Sequence, residues 1–230
     1  MTGMLRLAHR GDFRVAPENT VAPFQAAMRI PGCDGVELDV RLARDGTPIV
    51  LHDDSLRRVQ HRDGHVRDLD AGTLEAAGVP TLAAAFQALG DAWVDVELKG
   101  DDHADATAAV LRTARGDRPD NAIVSSFDGP SLAAMADRLP GWGRWLNALD
   151  LNPGTLSLAV ALGCRAVAVL WGAINPASVG RARDAGLEVA GWTVRRRPTW
   201  DRLERLGVVA CCVEGAALGD PAPQREESRP

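Results

Sequence analysis

The sequence predicts an α/β fold, a TIM or (β/α)8 barrel with a small hairpin excursion after its second strand. Three observations point there. Short, near-continuous apolar stretches alternate with helical stretches along most of the 230 residues, the pattern of parallel strands buried on both faces. Eight of these stretches open a strand-then-helix unit, the number that closes a barrel. No Gly-x-Gly-x-x-Gly follows the first strand, which disfavours a dinucleotide site and with it the open doubly wound sheet, the alternative arrangement.

Residues 5–8 form the first strand, which ends at His9-Arg10-Gly11. After a loop, Asn19 or Thr20 caps a helix to about residue 29, with Val21, Phe24, Ala27 and Met28 on one face. Pro31-Gly32 ends it, and residues 35–40 form the second strand. Residues 55–72 read as polar loop, and Pro80-Thr81-Leu82 opens a helix through residue 89 that Gly90 stops. Strands at 93–98, 122–126, 144–149, 166–170, 187–194 and 208–213 then alternate with helices at 104–115, 130–139, 153–162, 176–185 and 198–206. The last four helices each open on or beside a proline, whose fixed φ suits a first helical turn. Residues 1–218 make one domain, and the polar, Pro-rich stretch 219–230 is expected to be a disordered tail.

The hairpin lies between Val36-Glu37-Leu38-Asp39-Val40-Arg41 and Pro48-Ile49-Val50-Leu51-His52-Asp53, around Asp45-Gly46. Asp-Gly between two strand-like runs is a strong hairpin signal. A two-residue loop at 45–46 places Arg44 opposite Thr47 and, counting outward, Asp39 opposite His52. Glu37 and Asp39 then share a face with His52. The structural alternative is an edge hairpin that carries charge only for solubility.

Composition narrows the function. The net charge is −5 with Lys and Arg scattered, so no basic stripe marks a nucleic-acid partner. The one dense basic run, Arg195-Arg196-Arg197, reads as a solvated loop, with anion binding as the alternative. No apolar run approaches the ~20 residues of a membrane span. The four cysteines show no C-x-x-C spacing, and Cys211-Cys212 read as buried thiols in a reducing compartment. The start of the chain is too short and polar for a signal peptide, and the reading is a cytoplasmic protein. Of 26 basic residues only Lys99 is a lysine. In a chain so biased to arginine, a retained compact ammonium suits a point charge on phosphate.

Barrel enzymes gather functional groups at the C-terminal mouths of the strands. His9 and Arg10, Glu37 and Asp39, Glu97 and Lys99, and Trp192 all fall there, with His52 returning on the hairpin. Glu37, Asp39 and Glu97 suit a hard divalent cation, Mg²⁺ or Ca²⁺. Zinc is disfavoured because there is no H-E-x-x-H and no cysteine cluster. Arg10 and Lys99 supply positive charge for phosphate oxygens, and His9 and His52 form an acid/base pair. Metal, cations and imidazoles together fit cleavage of a phosphoester. Trp192 is either lumen core or a wall against substrate. Ser126 lacks the G-x-S-x-G of a nucleophile elbow, and His61, His65 and His103 lie in polar loops.

These pieces carry a resemblance. Ala8-His9-Arg10-Gly11, Pro17-Glu18-Asn19-Thr20, Asp34-Gly35-Val36-Glu37-Leu38-Asp39-Val40, Arg44-Asp45-Gly46, Val50-Leu51-His52-Asp53, Pro80-Thr81-Leu82, Val96-Glu97-Leu98-Lys99, Ser125-Ser126-Phe127 and Gly191-Trp192-Thr193-Val194 occur in this order. The chain thereby resembles the glycerophosphodiester phosphodiesterase family over residues 8–194. The resemblance implies a barrel of the phospholipase C-like phosphodiesterase type and metal-dependent hydrolysis of small glycerophosphodiesters to glycerol 3-phosphate and an alcohol. It implies His9 and His52 as the acid/base pair, and Glu37, Asp39 and Glu97 as ligands of Mg²⁺ or Ca²⁺, with Mn²⁺ also fitting. Arg10 and Lys99 are implied as phosphate contacts, and Trp192 is expected, from its place at the mouth, to contact the substrate. A non-catalytic phosphoester-binding barrel and a lyase that releases a cyclic phosphate are the alternatives. Two positions depart from the family pattern: Arg195 stands where Asn is usual, and Val213-Glu214 where Thr-Asp is usual. Both are expected to bear on substrate preference rather than on chemistry. With no tyrosine and a short 55–72 segment, the alcohol-side pocket is expected to be open.

Overall fold

The structure, a computed structural model, describes residues 3–100 and 104–220. The 221–230 part of the expected tail and His103 lie outside the described residues. In chain order the elements are β1 (Leu5–His9), α1 (Val21–Ala27), β2 (Gly35–Leu42), β3 (Pro48–Val50), α2 (Arg57–Gln60), α3 (Ala71–Ala76), α4 (Leu82–Leu89) and β4 (Trp93–Leu98). They continue with α5 (Ala104–Arg115), β5 (Ala122–Ser126), α6 (Gly129–Arg138), β6 (Gly143–Ala148), α7 (Pro153–Ala161), β7 (Ala166–Leu170), α8 (Pro176–Asp184), β8 (Glu188–Val194), α9 (Arg197–Arg205), β9 (Ala210–Val213) and α10 (Gly215–Leu218).

The sheet runs β1-β9-β8-β7-β6-β5-β4-β2, and parallel pairing of β1 with β2 closes it. That is the predicted eight-stranded barrel. β3 pairs antiparallel with β2 outside it, as the returning arm of the hairpin. Closure brings β2 hard against β4 at Gly35, where a Cβ would lie 1.8 Å from the Trp93 carbonyl oxygen; only glycine fits.

Strand alternation sorts side chains into two sets. Outward residues such as Val36, Leu38, Val94, Val96, Val124 and Val167 are fully buried against the helices. Each side chain buried in this way contributes about 1.5–3 kcal/mol. Inward residues fill the lumen. At its lower end Leu7, Trp93, Ile123, Trp145, Ala166, Ala190 and Ala210 form an apolar plug, with Trp93 and Trp145 stacked at 5.6 Å. Above the plug the inward positions turn polar. The helices start where capping side chains supply acceptors: Asp128, Asn152 and Asn175 each accept from a backbone N–H in the first turn of α6, α7 and α8.

Three local readings are corrected. The hairpin loop holds three residues, not two: Ala43 N donates to Thr47 O and Gly46 N to Ala43 O, and Val40 pairs with Val50. Of the two turn residues, only Gly46 has positive φ, +81°. A type I′ turn needs both, whereas a type I turn plus one left-handed glycine makes the three-residue loop. The register therefore slips by one and Asp39 meets Leu51, whose N–H donates to the Asp39 carbonyl. Second, residues 55–72 are not loop throughout. They hold α2, a short 3-10 turn at Val66–Asp68 and the start of α3, and Leu56 and Val66, with Leu74 just beyond, bury against Ile49 and Leu51 under the hairpin. Isolated apolar residues in a charged segment concealed this satellite core. Third, neither Asn19 nor Thr20 caps α1 with its side chain. Thr20 Oγ1 donates to the Pro17 carbonyl, and Asn19 is used by the site above the plug.

Candidate active site

The inward rows of β1, β2, β4 and β9 end in Leu7–His9, Glu37–Asp39, Asp95–Glu97–Lys99 and Cys212–Glu214. These strands are neighbours around the barrel, so residues distant in sequence meet at one sector of the mouth. A cavity of about 240 Å³ opens there, lined by His9, Arg10, Glu37, His52, Glu97, Lys99 and Trp192 among others. All eight sequence-predicted residues thus converge: Asp39, fully buried, completes the acidic group.

Glu37, Asp39 and Glu97 offer carboxylate oxygens that lie within 4.8 Å of one another. Three buried acids so close repel each other and lack water. Burial and then the Asp39 and Glu97 charges push the Glu37 carboxyl well above its usual range. Burial and the charge of Asp39 raise Glu97 as well. At Asp39 burial also opposes ionisation, but Lys99, Arg10 and His52 outweigh it and hold the carboxyl below its usual range. Asn19 adds to that. In left-handed backbone at φ +58°, its Nδ2 donates to Asp39 Oδ2 at 2.7 Å and its Oδ1 accepts from Asp39 N.

Two cations stand against the acids. Lys99 Nζ donates to Glu97 and lies 3.1 Å from Asp39 Oδ1. Burial disfavours its charge, yet the two carboxylates raise its pKa overall. Arg10 reaches Asp39 Oδ2 with Nε at 3.1 Å and donates from Nη1 to Glu18 at 2.7 Å. Glu37 Oε1, buried, has no hydrogen-bond partner among the described residues. An all-oxygen donor set with such an orphaned acceptor fits a hard divalent cation.

The two histidines are held alike. His9 Nδ1 is 2.6 Å from Glu214 Oε1, and His52 Nδ1 is 2.7 Å from Asp53 Oδ1. Hydrogen bonds from His9 and Arg195 outweigh burial and hold Glu214 down at about 2. Arg58 and then His52 hold Asp53 at about 2 despite partial burial. Both carboxylates are therefore ionised acceptors, so each imidazole carries its proton on Nδ1 and keeps Nε2 for the cavity. His9 Nε2 lies 3.8 Å from Glu37 Oε2. At His52 burial lowers the pKa, and the attraction of Asp39 and Asp53 offsets that only in part. His52 lies at the mouth although it is off the ladder, and Arg41 Nε donates to its carbonyl at 2.9 Å.

Sequence reasoning missed Glu18, Asn19, Asp53 and Glu214 as parts of the site. Arg195 Nε donates to Glu214 Oε2 at 2.6 Å, so the two departures meet each other, and Glu214 in turn contacts His9. Glu214 stands at the C-terminal end of a barrel strand, and that signal was available. Arg58 similarly ties Asp53 to Glu18, donating to each at 2.7 Å. Trp192 is a wall as well as core, with Nε1 donating to the Ala168 carbonyl and its edge on Phe127 at 5.6 Å. Ser126 donates to the Leu98 carbonyl and accepts from Asp128 N, a structural role.

Comparison with known proteins identifies the family. A model of the glycerophosphoryl diester phosphodiesterase family matches residues 9–214, a span that runs from His9 to Glu214. A glycerophosphodiester phosphodiesterase of Caldanaerobacter subterraneus subsp. tengcongensis is 30% identical over 94% of this chain and 94% of its own. A phosphodiesterase of Oleispira antarctica, solved with the product sn-glycerol-3-phosphate, superposes with a TM-score of 0.82 at 24% identity, over 92% of this chain and 93% of that one. A glycerophosphodiester phosphodiesterase of Agrobacterium tumefaciens gives 0.79 at 26% identity, over 94% and 98%.

Proposed function

The chain belongs to the glycerophosphoryl diester phosphodiesterase family and is a phosphodiester hydrolase, and we propose that it cleaves glycerophosphodiesters to glycerol 3-phosphate and an alcohol with a divalent cation at Glu37, Asp39 and Glu97. The observation that carries this reading is the pairing of two Nδ1-anchored histidines with one carboxylate cluster in a single cavity.

The buried cluster would hold Mg²⁺, Ca²⁺ or Mn²⁺, and the bound ion supplies Lewis-acid stabilisation of charge on the phosphoryl oxygens. Arg10 and Lys99 sit beside the same carboxylates and present positive charge to the remaining oxygens. One histidine Nε2 takes the proton of the attacking hydroxyl, and the other gives a proton to the leaving alkoxide. Glu214 and Asp53 keep both rings in the tautomer this exchange needs and stabilise each imidazolium as it forms. Trp192 and Phe127 line the same cavity, with Lys99 Nζ 5.9 Å from the centre of the Phe127 ring.

The binding-only alternative rested on the changes at 195 and 214. The contact of Glu214 with His9 favours catalysis instead, because the altered position still supplies a carboxylate to the ring. The test is a panel of glycerophosphodiesters, including glycerophosphocholine, with added Mg²⁺, Ca²⁺ or Mn²⁺. Release of glycerol 3-phosphate is expected. Absence of turnover on the whole panel contradicts the reading, and phosphorus NMR showing a stable cyclic phosphate would replace hydrolysis by the lyase reaction.

A further inference from the structure

A second cavity, of about 480 Å³, opens beside the catalytic one at the same mouth. Lys99 lines both. The strand rows explain why they adjoin. Glu37, Asp39 and Arg41 alternate along β2, and Glu97 and Lys99 along β4. Asp39 is the register partner of Glu97, and Val40 of Leu98. Arg41 and Lys99 are therefore the next step up, above the acids. The charge changes sign at that step, from the carboxylate cluster to two cations.

The walls of this second cleft are mostly basic. Arg44, Arg67 and His65 line it with Arg41 and Lys99, against one carboxylate among its described lining residues, Asp54. Lys99 is engaged by Asp39 and Glu97, and Arg44 by Asp70 at 2.9 Å. Asp54 lies 3.9 Å from His65 Nδ1. Arg67 is 85% exposed, with only Asp68 near it at 4.0 Å. Arg41 is the distinctive residue. Its Nε donates to the His52 carbonyl, the one hydrogen bond that its guanidinium makes to a described residue. Burial lowers its pKa, and the attraction of Asp54, Asp39, Asp53 and Glu97 does not make up the loss. A half-buried guanidinium short of negative charge, with its fork turned to a cleft, suits an anion that two parallel N–H groups can grip.

Resting on the phosphodiesterase reading, we propose that this cleft is a subsite for an anionic group on the substrate's alcohol, and that Arg41 and Arg67 select glycerophosphodiesters whose alcohol carries a carboxylate or a phosphate. The glycerol 3-phosphate half is common to all such diesters, so a group that reaches past Lys99 into the cleft belongs to the alcohol. With the scissile phosphate against Arg10 and Lys99, the anion on the alcohol meets the Nη atoms of Arg41, and Arg67 adds charge at the rim. In the reaction a water oxygen bonds to phosphorus and gives up a proton. The bond from phosphorus to the alcohol oxygen breaks, and that oxygen takes a proton. The products are glycerol 3-phosphate and the anionic alcohol.

Glycerophosphoethanolamine and glycerophosphoserine make a matched pair for the test, since they differ by one carboxylate on the alcohol. The native enzyme should show a kcat/KM about tenfold higher for the serine diester, the lower end for a hydrogen bond to a charged group. In Arg41→Gln, which keeps a donor for the His52 carbonyl, this ratio should fall towards one. In Arg67→Ser, at an exposed position, it should fall by about two- to threefold. The ratio compares two substrates on one enzyme. A variant that only loosens His52 slows both and leaves the ratio unchanged, and that result in Arg41→Gln overturns the proposal. A ratio of one or less in the native enzyme, with both diesters hydrolysed, overturns this proposal alone. Inorganic phosphate that speeds hydrolysis of glycerophosphoethanolamine also overturns it, since the cleft would then serve a free anion. Failure on both diesters and on glycerophosphocholine overturns the phosphodiesterase reading itself.

Discussion

Glu214 and His9 stand 205 residues apart in the chain and 2.6 Å apart in the fold, with Arg195 holding the other oxygen of the same carboxylate. The last strand of the barrel thereby sets the imidazole that ends the first. Glu214→Gln keeps the shape but can offer its amide to Nδ1, which favours the wrong tautomer. Its kcat on a glycerophosphodiester should fall by about 10²–10³-fold with little change in KM. The pair Glu214→Asp, Arg195→Asn, the residues usual in the family, should keep most of the activity. Full kcat in Glu214→Gln would remove Glu214 from the chemistry.

A pH profile tests the other histidine. Burial lowers the pKa of His52, and Asp53 counters that by favouring the charged ring. The acidic limb assigned to His52 should therefore lie below the ordinary imidazole value of about 6.5. Asp53→Asn removes the countering interaction, so the limb should move further down while kcat drops. A limb that moves up, or stays in place, contradicts the assignment.

Stability in acid follows from the same carboxylate. The folded pKa of Glu214, about 2, lies below its ordinary 4.5. Ionised Glu214 thus contributes stability that is fully present above pH 4.5 and is lost as pH falls towards 2. Glu214→Gln should be less stable than the native protein at neutral pH, and the gap should narrow through that window in urea titrations at stepped pH. A gap that stays constant with pH would mean that the charge is not the source.

Asn19 offers a test of how the site is held up. Its left-handed backbone and its two hydrogen bonds to Asp39 are separable. Asn19→Ala should lose both and cost about 2–4 kcal/mol. Asn19→Gly relieves the backbone and should recover about 1 kcal/mol of that in urea unfolding, while kcat stays as low as in the alanine variant. Equal stability of the two variants would show that the backbone conformation carries no cost.

The barrel was legible because parallel strands buried on both faces leave an unambiguous apolar rhythm; 93–98, 122–126 and 166–170 are found where it places them. The eight candidate residues were legible for a related reason, since a barrel collects strand ends at one mouth. The route to one of them was not. Asp45-Gly46 does not say whether one or two turn residues take positive φ, and the resulting slip puts Leu51 rather than His52 across from Asp39. His52 arrives by leaving the ladder, which no strand pattern encodes. Glu18 and Asp53 escaped because their partners, Arg58 and His52, are defined by side-chain reach, whereas Glu214 follows a barrel strand at the mouth and was legible there. The satellite core under the hairpin escaped because Leu56, Val66 and Leu74 are too sparse to make a period.

Metal dependence is the claim on which the catalytic account turns. The measurement is hydrolysis of glycerophosphocholine by protein stripped with a chelator and then titrated with Mg²⁺, Ca²⁺ or Mn²⁺. The account predicts no turnover before addition, saturable recovery with one of the three ions, and no recovery in Glu97→Gln at the same concentrations. Undiminished turnover in excess chelator would contradict it.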